Sequence, residues 1–176
     1  AIRHIPEWDW RTVLILQASV AAITGLISGV VSGHLTQIVL GVIFLPITGT
    51  ATLFVVGGFF YYLFLFFLGR EISYKQLSLM LVMANLPFMA LYSISPLLKP
   101  LLLVGLAATS LLLIVGFVDY FILPKKTIVR IISTMYLLYV VMWISGAIQD
   151  FQKKKSTDLP ATRESLDILE KELKGE

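Results

Sequence analysis

Asp119 stands out in this sequence because it is the one acid that interrupts the long apolar stretches. A charged group inside a membrane span is costly, so it marks either an ion pair or a relay for protons or cations. The bases Lys125, Lys126 and Arg130 follow closely. We therefore expect Asp119 to form an ion pair that joins two successive helices. A relay is the alternative, but it requires a second carboxylate or histidine at depth, which the sequence does not offer.

Asn85 and Pro87 form a second polar candidate, near the middle of another apolar stretch. Proline inside a helix leaves a backbone carbonyl without its donor and bends the helix. We expect the Asn85 amide to make an interhelical hydrogen bond at this kink, worth about 1 kcal/mol. The alternative interpretation is half of a substrate site.

The sequence lacks the residue patterns that catalysis or metal binding would need. Ser32 and His34 are only two residues apart, and the other histidine is His4 near the N-terminus, so no nucleophile, base and orienting group can be assembled. There is no cysteine, and two histidines do not make a zinc site. Phosphate-binding and dinucleotide-binding glycine motifs are missing too. We predict that the protein is not an enzyme and has no catalytic, cofactor-binding or metal site.

The elements that position these residues are apolar helices. Hydrophobic residues make up 57% of the 176 residues and charged residues only 14%, with a mean hydropathy of +0.87, whereas soluble domains carry about 25% charged residues. A hydrocarbon core about 30 Å thick needs about 20 apolar residues as a helix. Four stretches without Asp, Glu, Lys or Arg are near or above that length, namely 12–69, 76–98, 100–118 and 131–149.

These stretches predict an all-α fold, a polytopic transmembrane helical bundle with about five spans and a short amphipathic C-terminal helix. The stretch 35–68 is too long for one simple span, and Pro46 and Gly49 interrupt it. We therefore interpret Leu35–Leu45 as an interfacial or partly re-entrant segment. The five predicted spans are 12–31, 47–68, 74–94, 101–123 and 127–148.

Small residues recur every fourth position along the first span, at Ala21, Gly25, Gly29 and Gly33. Such a ridge lets two helices approach closely, which is a main source of packing energy in lipid. We expect the ridge to pack against another span of the same chain, with homodimerisation as the alternative.

The composition divides the chain into a transmembrane domain, 1–149, and a charged tail, 150–176. Leu166, Leu169 and Leu173 have helical spacing in the tail. We predict an amphipathic helix there that lies on the membrane or on a partner. The net charge of +3 is modest, and the bases cluster beside span ends, so we expect no nucleic-acid partner.

The basic residues also predict an orientation. Short cytoplasmic loops carry an excess of Lys and Arg. With five spans and a cytoplasmic N-terminus, seven bases lie in the cytoplasm, and Lys99 and the tail lysines lie outside. We expect a bacterial inner membrane. The cytoplasmic bases are Arg3, Arg11, Arg70, Lys75, Lys125, Lys126 and Arg130.

From Gly57 to about Trp143 the chain resembles the Ypt-interacting-protein (Yip) family. The resemblance rests on a span that ends in Leu68-Gly69-Arg70, on a short loop entering 74–77, and on the small residues before leucine and proline at 83–87. Two further apolar spans follow with a short basic junction between them. The resemblance implies five spans, a cytoplasmic N-terminus and a small membrane scaffold without catalysis.

We therefore expect a scaffold or interaction subunit that binds other membrane proteins or lipids within the bilayer. A small transporter or permease subunit for a lipid or small solute is the alternative, since interrupted helices often line binding sites. It predicts a polar cavity beside Asn85 and Asp119.

Overall fold

A computed structural model describes residues 8–157, with side chains through residue 149. The described part of the chain is all-α and contains five helices long and apolar enough to cross a membrane, as predicted. A π-helical turn, Gly116–Tyr120, extends the fourth of these helices. The helices are α1 Trp10–Ser32, α2 Leu35–Leu68, α3 Tyr74–Ile94, α4 Leu101–Val115 and α5 Lys125–Thr157.

The second helix corrects the expectation of a re-entrant segment, because α2 runs without a break through Pro46. Proline removes one hydrogen bond to the carbonyl of Val42, and transmembrane helices tolerate this loss when neighbouring elements support the helix. Here α1 packs along the first half of α2. The sequence 35–45 is therefore the first part of a 34-residue helix and not a separate segment.

The contact between α1 and α2 is a seam of small residues. A Cβ atom on Gly25 would overlap the backbone carbonyl of Gly41, and one on Gly29 would lie 2.5 Å from the Cα atom of Ile38. Ala21 is fully buried two turns along from Gly29 on α1. Because no Cβ atom separates the two backbones at Gly25 and Gly29, the two helices form a tight antiparallel hairpin.

Gly33 does not belong to this seam, which corrects the fourth position of the predicted ridge. It follows the last residue of α1 in the left-handed conformation, with φ of 71°. Its amide donates a hydrogen bond to the carbonyl of Val30, 3.0 Å away. A Cβ atom there would meet nothing within 4 Å. Gly33 therefore ends the helix, as glycine does in this position.

Helix α3 is the central element of the bundle, with nine of its 21 residues buried. Its residues Leu77–Val82 are all buried. Beside them, the ring of Phe117 lies 5.0 Å from that of Phe60 and 4.9 Å from that of Phe64. These aromatic rings bring the second half of α2 and the π-helical turn into one core cluster.

Helices α3 and α4 also pack closely through glycine. A Cβ atom on Gly105 would lie 3.0 Å from the Cα atom of Phe88, and one on Gly116 would lie 2.5 Å from the sulfur of Met80. The order of these two contacts is reversed between the helices, so α3 and α4 are antiparallel, and the contacts define their register. Pro87 lies inside α3, which continues to Ile94.

The chain divides into two compact units within α5. The first ends at Tyr136 and includes the glycine contacts and the core cluster. The second begins at Leu137, and its described residues continue α5 to Thr157.

Substituting Gly25 by Ala is expected to lower the free energy of unfolding by about 1–3 kcal/mol, because the new methyl group forces the backbones apart. Gly58→Ala is the matched control, since nothing lies within 4 Å of its Cβ position. Alanine has the higher helix propensity, so this control should be neutral or stabilising. Denaturation in mixed micelles measures both. Equal effects of the two substitutions would contradict the seam.

Candidate functional site: a polar groove at one end of the bundle

The antiparallel helices bring most of the basic residues of the described chain to one end of the bundle. Trp10, at the start of α1, lies 6.1 Å from the ring of Phe54 in α2 and 5.7 Å from that of Tyr74 at the start of α3. The C-terminal ends of α2 and α4 and the beginning of α5 belong to the same end. The basic residues there are Arg11, Arg70, Lys75, Lys125, Lys126 and Arg130.

A groove opens at this end, between the α2–α3 loop and the π-helical turn that follows α4. Its volume is about 380 Å³, within the range of about 300–1,000 Å³ that ligand sites have. Most of its surface is polar. The lining residues are Arg70, Glu71, Ile72, Ser73, Gln76, Tyr120 and Phe121.

One wall of the groove is the uncapped beginning of α3. Ser73 has an extended backbone and its side chain makes no capping hydrogen bond. The first backbone bond of the helix runs from the amide of Leu77 to the carbonyl of Ser73, 3.0 Å away. The amides of residues 74–76 therefore have no partner within the helix. They add a partial positive charge beside the Arg70 guanidinium.

The opposite wall is shaped by the π-helical turn. Phe117 in this turn is fully buried in the core, whereas Tyr120 reaches the groove. The turn closes with a hydrogen bond from the amide of Phe121 to the carbonyl of Gly116, 3.4 Å away. Ile122 follows with φ of 53°, a strained conformation for a β-branched residue. Such turns often occur at functional sites.

A hydrogen bond between the beginning of α3 and α2 supports the groove. The hydroxyl of Tyr74 donates to the carbonyl of Phe54, 3.0 Å away, and lies 3.2 Å from the Cβ position of Gly57. Glycine at 57 lets this ring pack closely on α2, and a Cβ atom there would make the contact tight. The bond fixes the beginning of α3, and with it Ser73 and Gln76 in the groove.

Asp119 does not form the predicted ion pair with the bases that follow it. Its side chain is exposed, as is that of Arg130, and neither makes an ion pair with another described residue. Asp119 is the penultimate residue of the fourth span, Leu101–Tyr120. Because the carboxylate is exposed at a span end, it has no large desolvation cost that a counter-ion would have to offset.

Asn85 likewise lacks the predicted interhelical hydrogen bond within the described residues; its side chain is half-buried. The structure also keeps Asn85 apart from Asp119. Gly116 packs on Met80, so Asp119 lies level with about Leu77, roughly 12 Å along α3 from Asn85 at 1.5 Å per residue. These two residues do not share a site.

Two buried hydroxyls lack hydrogen-bond partners in the described structure, those of Ser78 and Thr109. Ser78 lies one turn after Tyr74. The register of α3 and α4 places Thr109 level with the turn that contains Pro87. Neither residue is distinctive in the sequence, because serine and threonine within apolar helices are common.

The groove residues were not predicted from the sequence either. Arg70 carried significance only for topology and, with the segment 74–77 that contains Gln76, for the family resemblance, and Tyr120 belonged to no motif. The available signal was the polar loop after Gly69, which ends α2 in the left-handed conformation.

The tail residues Leu166, Leu169 and Leu173 lie outside the described residues. Comparisons with protein-family models, with curated proteins and with solved structures found no match.

Asp119→Asn is expected to change the free energy of unfolding by less than about 0.5 kcal/mol, since the carboxylate is exposed and forms no ion pair with another described residue. Tyr74→Phe, which removes a hydrogen bond that is formed, should lower it by about 1 kcal/mol. Denaturation in mixed micelles gives both values. A larger loss for Asp119→Asn than for Tyr74→Phe would show that the acid is paired after all.

Proposed function

We propose that this chain is a non-catalytic multi-pass membrane protein that acts as a scaffold or interaction subunit and binds another membrane protein through the outer face of α2. The observation that supports this proposal is a continuous exposed stripe on that helix, here named the α2 stripe. Its members are Leu40, Phe44, Ile47, Ala51, Val55, Phe59, Tyr62 and Phe66.

The length and the chemistry of the α2 stripe favour a protein partner. From Leu40 to Phe66 the stripe measures about 39 Å at 1.5 Å per residue, longer than a hydrocarbon core of about 30 Å. Its second half is aromatic, and the rings of Tyr62 and Phe66 are stacked with their centroids 6.0 Å apart. Stacked aromatic rings offer a large contact area that loses little conformational entropy on binding.

The glycine seam supports the same proposal. Gly25 and Gly41 are in contact within the chain, so the small-residue ridge of α1 is already used within the chain. Association with a partner is left to the outer faces of the helices. The resemblance to the Yip family also favours this proposal, because it implies a small membrane scaffold.

The orientation is part of the proposal. We place the N-terminus and the groove in the cytoplasm, with the protein in a bacterial inner membrane. The antiparallel helices collect Arg70, Lys75, Lys125 and Lys126 at one end, whereas the turns at the other end, between α1 and α2 and between α3 and α4, carry only His34 and Lys99. This asymmetry matches the excess of basic residues in cytoplasmic loops.

The chain contains no cysteine, so single cysteines can report the orientation without a background. In intact bacterial cells, His34→Cys should react with a membrane-impermeant maleimide, and Glu71→Cys should react only after the cells are lysed. Both positions are exposed. The reverse labelling pattern would place the groove outside the cytoplasm.

Replacing Phe59 and Phe66 by Ala should remove a partner protein that co-purifies in native nanodiscs, because both rings belong to the α2 stripe. Leu111→Ala is the control, since Leu111 on α4 is apolar and 64% exposed. A stripe that contacts only lipid would tolerate both changes equally. Recovery of the same partner with the double variant, or of none with the unaltered chain, would contradict this role.

The alternative is a small transporter or permease subunit, and one observation favours it. The hydroxyl of Thr109 is buried in mid-span without a partner among the described residues, and intramembrane polar groups often serve transport. Solute flux into reconstituted vesicles that is lost with Thr109→Val would favour this alternative over the scaffold.

A further inference from the structure

We propose that the groove binds the phosphate of an anionic phospholipid headgroup. This site is separate from the α2 stripe, so the inference does not depend on the proposed scaffold function. It depends on the position of the groove, on its hydrogen-bond donors and on the charge around it.

The groove has the position that a headgroup site requires. Its lining residues come from the loop between α2 and α3, from the first turn of α3 and from the last residues of the fourth span. The ends of transmembrane helices lie at the headgroup layer. Trp10 and Tyr74, which are in contact at this end of the bundle, are the residue types enriched at that depth.

The donors in the groove match a phosphate group. Arg70 is exposed and forms no ion pair with another described residue, and a guanidinium can bind two phosphate oxygens at once. The Gln76 amide and the Tyr120 hydroxyl add donors from two different helices. The amides at the beginning of α3 add further donors.

The charge around the groove favours an anionic lipid over a zwitterionic one. Residues 70–76 and 119–126 contain four basic and two acidic side chains, a net charge of +2. Among the described residues, Glu71 is the only acid that lines the groove. Its carboxylate can accept hydrogen bonds from headgroup hydroxyls, such as those of a glycerol.

The apolar surface beside the groove favours a lipid over a free phosphate ion. Ile72 and Phe121 line the groove together with its polar residues. Ile122, which follows directly, is 74% exposed, and Phe67 at the end of α2 is 84% exposed. Acyl chains that leave the headgroup would lie on this apolar surface.

The test measures lipid binding to the full chain in detergent micelles by native mass spectrometry. The probes are dioctanoyl phosphatidylglycerol, dioctanoyl phosphatidylcholine and glycerol 3-phosphate. We expect phosphatidylglycerol to bind best. Arg70→Gln should weaken its binding about tenfold, since it removes a bidentate charged contact. Glu71→Gln should strengthen it severalfold, because the amide removes the negative charge beside the phosphate and its oxygen still accepts a hydrogen bond from a headgroup hydroxyl.

Arg130→Gln is the matched control, because it makes the same change of charge at the same end but outside the groove lining. It should leave binding within about twofold of the unaltered chain, and unfolding in micelles checks that all variants are folded. Equal losses of phosphatidylglycerol binding for Arg70→Gln and Arg130→Gln would show that the lipid is attracted by the overall surface charge and not bound in the groove, and would overturn the proposal. If phosphatidylcholine bound as well as phosphatidylglycerol, the preference for an anionic lipid would be contradicted. If glycerol 3-phosphate bound as well as phosphatidylglycerol, the proposal that the ligand is a lipid would be contradicted.

Discussion

The fold depends on how closely two helices can approach where lipid surrounds them. Helices inside a bilayer gain little from hiding apolar surface, because the surrounding acyl chains are as apolar as leucine, and van der Waals contact must hold them together. The contact between Gly25 and Gly41 provides this in the first hairpin. It also explains why α2 continues through Pro46, since the helix is supported by α1 on both sides of the missing hydrogen bond.

The same device recurs where α2, α3 and α4 meet. Gly57 admits the ring of Tyr74, and Gly116 admits the side chain of Met80. In each case a glycine receives a large side chain from a neighbouring helix, whereas the first hairpin brings two backbones together. The close packing of α4 against α3 positions Phe117 in the core, and Tyr120 is thereby placed at the groove.

The five spans were predictable from the sequence because charge is so expensive in hydrocarbon that its absence over about 20 residues is a strong signal. The ridge on α1 was visible because its period matches a helix face. Its partner on α2 was less visible, although Gly41 and Gly49 are eight residues apart and both face α1, since Pro46 between them was interpreted as a helix breaker. In water that interpretation is sound, but in a bilayer an open backbone costs more than one lost hydrogen bond.

The groove could not have been predicted in the same way, because its residues come from three places in the chain and are joined by an irregular turn. In a regular helix each residue advances the side-chain direction by about 100°, so one additional residue in a turn changes which side chains share a face. Gly116–Tyr120 is such a turn, and sequence periodicity across it could not show that Tyr120 would lie opposite Gln76 while Asp119 remained exposed. The unpaired polar atoms enclosed within the described spans are hydroxyls, and the side chains that carry full charges lie at the span ends. This separation follows from the cost of burying an ion without a partner. It makes the membrane surface, and not the middle of the bundle, the place where this chain can offer a charged group to a ligand.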